Sequence, residues 1–254
     1  MEPVYGLVNA LGRGVLGALG VDVRAHGLEN LPRSGPVLLA STHGSFLDFV
    51  VLEKAAIQRG RYVRFLTRYD AWVPGVGWAM DAMRHVPVDR RAPAGAYLVA
   101  RRLLRQGEAV GVFPEAGISH SFTVRALMGG TAALARDTQV PIVPMAMWGA
   151  QRIATVGDPR PATDLSRGRV VDVAFGEQLR VAPHEDVTEG TARLGHRLTS
   201  LLEELQQLPR HRPRPGEYAE WYPAHLGGNA PTRARARELE TLPASAFAPT
   251  WGPR

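Results

Sequence analysis

From Pro36 onward, short apolar runs alternate with amphipathic stretches, and this alternation is the strongest constraint on the fold. Residues 37–42, 62–66, 85–88, 109–113, 140–147 and 169–175 read as strands. Residues 46–58, 75–83, 92–105, 130–136 and 187–205 read as helices. The last of these carries Leu194, Leu198, Leu201, Leu202 and Leu205 on one stripe. Such an order predicts a single α/β domain, residues 21–206, with a central, largely parallel sheet flanked by helices. A chain of 254 residues is long enough to bury its core.

The flanking segments have a different character. In residues 1–20, Val4, Tyr5, Leu7, Val8, Leu11, Val15, Leu16 and Leu19 recur near helical spacing. Arg13 is the only charge between Glu2 and Asp22, and five glycines weaken the segment as a soluble helix. Two readings stay open for this amphipathic N-terminal helix: it lies in a membrane interface, or it packs on the core. No run of eighteen apolar residues is present, so no spanning helix is expected. Acidic Glu2 and the lack of a basic flank make a poor signal peptide. Residues 207–254 form an irregular, basic, Arg/Pro-rich tail with seven Arg against four Glu. Tyr218, Trp221 and Tyr222 are expected to dock part of the tail, with the rest mobile.

The formal net charge is +6, and Lys54 is the only lysine. An arginine-rich surface suits an anionic membrane or a phosphorylated substrate. The arginines are dispersed and no reading motif is visible, so no nucleic-acid partner is expected. With no cysteine, disulfides, thiol catalysis and Cys-ligated metals are excluded. No metal site is expected.

Chemistry-bearing residues gather where strands end. The first cluster follows strand 37–42: His43 and Asp48, with four residues between them. Chance alone gives roughly 0.3 such pairs in a chain of this composition. A base with a nearby carboxylate to orient it can deprotonate a hydroxyl. Ser45-x-x-Asp48 is also a capping-box-like pattern, which gives Asp48 a purely structural alternative. The second cluster, Arg84-His85-Val86-Pro87-Val88-Asp89-Arg90, brackets a short strand with arginines suited to phosphate or carboxylate, or merely to solvent. In the third, strand 109–113 runs into Pro114-Glu115-Ala116-Gly117-Ile118-Ser119. Loops at the carboxyl ends of strands form the site in open α/β sheets. The fourth, Val140-Pro141-Ile142-Val143-Pro144, suggests a shaped wall.

In this order, the four clusters resemble the blocks of the glycerolipid acyltransferase family typified by bacterial 1-acyl-glycerol-3-phosphate acyltransferase. These blocks are His-x4-Asp, a short strand ending in Arg, Phe-Pro-Glu-Gly-Thr-Arg-Ser, and Val-Pro-Ile-Val-Pro. The likeness covers roughly residues 20–180 and is nearest the actinobacterial-type branch. It implies acyl transfer from acyl-CoA or acyl-carrier protein, as co-substrate rather than cofactor, to the hydroxyl of a lysophospholipid. His43 would be the general base, and Asp48 would hold its tautomer and stabilise the imidazolium. Arg90 would hold the acceptor phosphate and Glu115 would help to position the acceptor. Arg68, Arg84, Gly117 and Ser119 complete the expected substrate-binding set. The implied place is the cytoplasmic face of the cell membrane, peripheral or monotopic. Two departures bear on the acceptor: Ile118 stands where Arg is usual, and Met128 where Lys is common. Arg125 and His120 are candidates to compensate. The departures leave room for another lysolipid or alcohol acceptor, or for a non-enzymatic lipid-binding protein on this fold.

Overall fold

A computed structural model describes residues 3–240 and 248–252. Seven strands form one sheet: β1 (Asp22–His26), β2 (Val37–Ser41), β3 (Val63–Arg68), β4 (Val86–Val88), β5 (Ala109–Val112), β6 (Ile142–Trp148) and β7 (Val170–Phe175). Their order is β1-β7-β6-β2-β5-β3-β4. Every pairing is parallel except β6 with β7. The α/β expectation holds, and the helices fall close to their expected bounds: α2 (Asp48–Ile57), α3 (Val76–Ala82), α4 (Ala94–Arg105), α5 (Gly130–Thr138) and α6 (Val187–Gln206).

The central strands β2, β5 and β6 are almost wholly apolar because both faces of the sheet are covered there. Side chains alternate between faces along β2. Leu38 and Ala40 join one core with Leu103, Leu134 and Leu198 from α4, α5 and α6. Val37 and Leu39 join the other, with Val51, Leu52 and Ala55 from α2. Both β2 and β5 are buried along their whole lengths. Burying each such Val or Leu contributes about 1.5–3 kcal/mol.

Strand β1 is absent from the sequence expectation. It is a short edge strand with alternating exposure, and Asp22, Arg24 and His26 break its apolar pattern. Only pairing with β7 makes it a strand.

The N-terminal helix α1 (Pro3–Ala18) packs against α2 and α3. Tyr5 and Leu16 are its buried anchors. The Tyr5 hydroxyl lies 2.7 Å from Glu53 Oε2 and accepts the Val63 N–H at 3.0 Å. Burial pushes the Glu53 carboxyl up to about 8, outweighing the hydrogen bond from Tyr5. The opposite stripe, Leu7, Leu11 and Val15, is 59%, 63% and 60% exposed. The helix packs on the domain through one face and leaves the other exposed.

The tail corrects an expectation. Among its described residues, much of it is fastened to the domain. Ala219, Tyr222, Ala230 and Ala236 are buried, whereas Tyr218 is exposed. A short helix, α7 (Arg233–Leu239), starts at a Thr232 cap whose side chain accepts the Arg235 N–H. Near the tail's start, Asp172 of β7 is fully buried and receives Arg210 at 2.6 and 2.8 Å. Asp172 also faces His211 at 2.7 Å and His26 at 2.5 Å. Burial pushes its carboxyl up, but these hydrogen bonds outweigh burial and hold it well below the usual range. Residues 1–2, 241–247 and 253–254, which belong to the two flanking segments, lie outside the described residues.

The parallel strands β2, β3, β4 and β5 all end on one side of the sheet. That shared side receives the segments after Ser41, Arg68, Val88 and Val112.

Candidate active site

His43 lies two residues beyond β2, and Asp48 opens α2. The intervening turn folds the carboxylate back on the segment it follows. Asp48 Oδ2 lies 2.9 Å from His43 Nδ1 and accepts the N–H groups of Gly44 and Ser45, each at 2.8 Å. The aspartate thus holds the turn and pairs with the imidazole through the same oxygen. An ionised carboxylate only accepts, so the bond assigns the proton to Nδ1 and the lone pair to Nε2. Asp48 is buried, whereas the His43 side chain is 22% exposed. The imidazole stacks on Phe113 with ring centroids 4.3 Å apart, which fixes its plane. Ser45 closes the turn from outside through Oγ, which lies 3.0 and 2.7 Å from the carbonyls of Ala150 and Ala154.

Glu115 ties His43 to the loop after β5. Its Oε1 accepts the His43 N–H and its Oε2 the Arg125 N–H, both at 2.8 Å. The Ser119 N–H returns to the His43 carbonyl at 3.0 Å. Burial pushes the Glu115 carboxyl up to about 8 despite the two backbone donors. Enclosed in this way, Glu115 holds the frame of the site.

Arg90 lies two residues beyond β4 and reaches the same loop, its Nη2 donating to the Ala116 carbonyl at 2.7 Å. Ala116 has a positive φ of 54°, a rare conformation for a residue with a Cβ. Arg68 ends β3 directly beside Val88 of β4, so the two arginines share one sheet corner. Burial lowers the Arg90 pKa first and the Arg68 charge lowers it next, partly opposed by Asp70. Arg68 is exposed and paired with Asp70.

Not all expected residues converge. Arg84 precedes β4 and so lies at the amino end of its strand, the opposite side of the sheet from His43. There it pairs with Glu108 and, at 2.8 Å, with Gln106. An arginine's place in sequence beside a strand does not say at which end its guanidinium works. Gly117 belongs to the site loop for a steric reason: a Cβ there would sit 2.5 Å from Arg125 Nη1. Buried Ser119 Oγ lies 3.3 Å from Ser121 Oγ.

Arg125 reaches the backbone of Ile118. Its Nη1 donates to the Ile118 carbonyl at 3.2 Å, and its charge acts on Glu115 and Arg90. Its side chain is only 6% exposed and pairs with Glu240 at 3.0 Å. The sequence suggested Arg125 as a compensating cation, but nothing local pointed to Glu240.

A family model described as Acyltransferase matches residues 22–148. That span contains His43, Asp48, Arg90, Glu115 and Arg125. Among curated proteins, 1-acyl-sn-glycerol-3-phosphate acyltransferase BAT2 of Brassica napus is 34% identical over 52% of this chain and 38% of its own length. Its namesake from Bacillus subtilis is 25% identical over 73% of this chain and 91% of its own. The alpha form of Homo sapiens is 28% identical over 73% and 65%. The chain spans 38% of the length of each of two matched plant relatives. The crystal structure of a 1-acyl-sn-glycerophosphate acyltransferase, PlsC, from Thermotoga maritima shares the fold: TM-score 0.66, 20% identity, 80% of each chain covered.

Proposed function

The chain belongs to the acyltransferase family, and on that premise we propose that it transfers a fatty acyl group to the free hydroxyl of a 1-acyl-glycerol-3-phosphate. The observation that carries this reading is the oriented His43–Asp48 pair, framed by Glu115, with Arg90 on the same loop. The matched relatives bear the name of this activity. The product is phosphatidic acid, and the donor is an acyl thioester of coenzyme A or of acyl-carrier protein.

The step balances without a covalent acyl-enzyme. His43 Nε2 removes the acceptor's hydroxyl proton as its oxygen attacks the thioester carbonyl. The C–S bond breaks as the ester forms, and the imidazolium returns the proton to the leaving thiolate. Asp48 offsets the transient imidazolium charge. Arg90 and Arg68 supply the cationic corner for the acceptor phosphate. The purified protein, acyl-CoA and lysophosphatidic acid should yield phosphatidic acid, detected by lipid mass spectrometry. Preference for a non-phosphorylated alcohol over lysophosphatidic acid would replace the acceptor assignment, and no turnover with any acceptor would overturn the enzymatic reading.

The acceptor is a membrane lipid, and the exposed apolar stripe of α1 suits peripheral binding at the cytoplasmic surface. Val76 and Trp78 of α3 and Phe49 of α2 are exposed apolar side chains on the two helices against which α1 packs. No described helix is long and apolar enough to cross a membrane. Changing Leu7, Leu11 and Val15 together to Ser should weaken flotation with phosphatidylglycerol vesicles about tenfold or more. Undiminished flotation would shift attachment to the arginine surface.

A further inference from the structure

The geometry points to Glu240, from the C-terminal tail, as a positioning residue for the loop that joins the base to the acceptor site. This inference rests on the acyl-transfer reading above.

Four of the connections made by the loop from Glu115 to Ser119 bear on the site. Glu115 holds the His43 N–H, Ala116 receives Arg90, Ile118 receives Arg125, and Ser119 bonds the His43 carbonyl. Its shape therefore sets both the imidazole and the arginine assigned to the phosphate. Ile118 brings no charge of its own, and the loop instead leans on Arg125, whose guanidinium lies over Gly117.

A guanidinium so deeply buried needs a partner, and Glu240 provides it. Glu240 Oε2 lies 3.0 Å from Arg125 Nε, while Oε1 accepts the His120 N–H at 2.9 Å. One tail carboxylate thus binds the side chain that supports the loop and the backbone just beyond it. Both members are buried, at 6% and 9% side-chain exposure. Removing one charge would strand the other. The contact is part of a wider fastening. Leu127 exchanges backbone hydrogen bonds with the tail, its N–H to the Trp251 carbonyl at 2.7 Å and its carbonyl from the Thr250 N–H at 3.0 Å. Arg233 of α7 reaches Thr123 at 3.3 Å. Trp251 lies so close over α6 that a Cβ at Gly195 would come within 2.5 Å of its ring.

A substrate role for the Arg125–Glu240 pair is disfavoured by its burial. The pair acts through the loop, so its loss should loosen Ala116 and Arg90 and weaken acceptor binding more than donor binding. In full-length protein, Glu240→Gln keeps the shape and removes the charge. It should raise the acceptor KM about tenfold and leave the donor KM unchanged. Amide hydrogen exchange at residues 116–120 should quicken, with β2, β5 and β6 unchanged. Glu240→Asp should recover part of both effects. A wild-type acceptor KM, wild-type exchange at 116–120, or equal quickening across the sheet overturns the proposal. A lowered acceptor KM also overturns it, because the carboxylate would then be competing with the acceptor. If the wild type turns over no acceptor, the acyl-transfer reading fails, and the exchange measurement alone decides whether Glu240 holds the loop.

Discussion

Replacing His43 with alanine should lower kcat about a thousandfold while leaving the KM values for donor and acceptor nearly unchanged. That loss corresponds to ~4 kcal/mol of transition-state stabilisation. The size follows from the proposed role, in which Nε2 accepts a proton from a hydroxyl that is a poor nucleophile while protonated. The KM values should hold because the cationic corner is built by Arg68, at the end of β3, and Arg90, two residues beyond β4. The fold should hold too, since the imidazole contributes one ring stack and one side-chain bond, while the His43 backbone keeps its bonds to Glu115 and Ser119. Steady-state kinetics with acyl-CoA and lysophosphatidic acid, beside a circular-dichroism melt, make the measurement. Retention of more than a tenth of wild-type kcat would sink the general-base assignment.

Changing Asp48 to asparagine should cost less, about a hundredfold in kcat. Three donors converge on one oxygen, Asp48 Oδ2: the His43 Nδ1–H and the backbone N–H groups of Gly44 and Ser45. An asparagine must turn its own oxygen into that place, because its NH2 would face two fixed donors. The imidazole therefore keeps its proton on Nδ1 and its lone pair on Nε2. What disappears is the negative charge that offsets the imidazolium. The turn and the start of α2 survive with neutral rather than charge-assisted bonds, so stability should fall by only about 1–2 kcal/mol. The kcat of Asp48→Asn decides the matter. A loss under fivefold would show that the charge does not act on the reaction. A loss near ten thousandfold would show instead that the imidazole had reversed its tautomer.

Much of this was legible in the chain. Strands such as Val37–Ser41 and Ile142–Trp148 are apolar on both faces, a pattern a parallel sheet between helices produces. The His43–Asp48 contact was legible because both residues belong to one turn, where spacing nearly fixes geometry. Elements without local periodicity were not legible. Strand β1 exists through its pairing with β7, and Ala219, Ala230 and Trp251 meet the domain as single residues. Arg84 shows the opposite failure: adjacency in sequence suggested a site residue, while the strand direction carried it to the far side of the sheet.

By itself the sequence determined the class of fold, the contact between His43 and Asp48, and the loop beyond β5 as a place where candidate residues gather. These depend on contacts within a few residues or on hydrophobic period, both of which are written locally. Only the tertiary structure decided which arginines share the site and what neutralises them. Arg68 and Arg90 meet because β3 and β4 are parallel neighbours. Arg125 meets Glu240 across 115 residues of chain because the tail returns to a buried guanidinium. The physical reason is one of range: a buried charge must find its counter-charge in space, and the chain is free to supply it from anywhere.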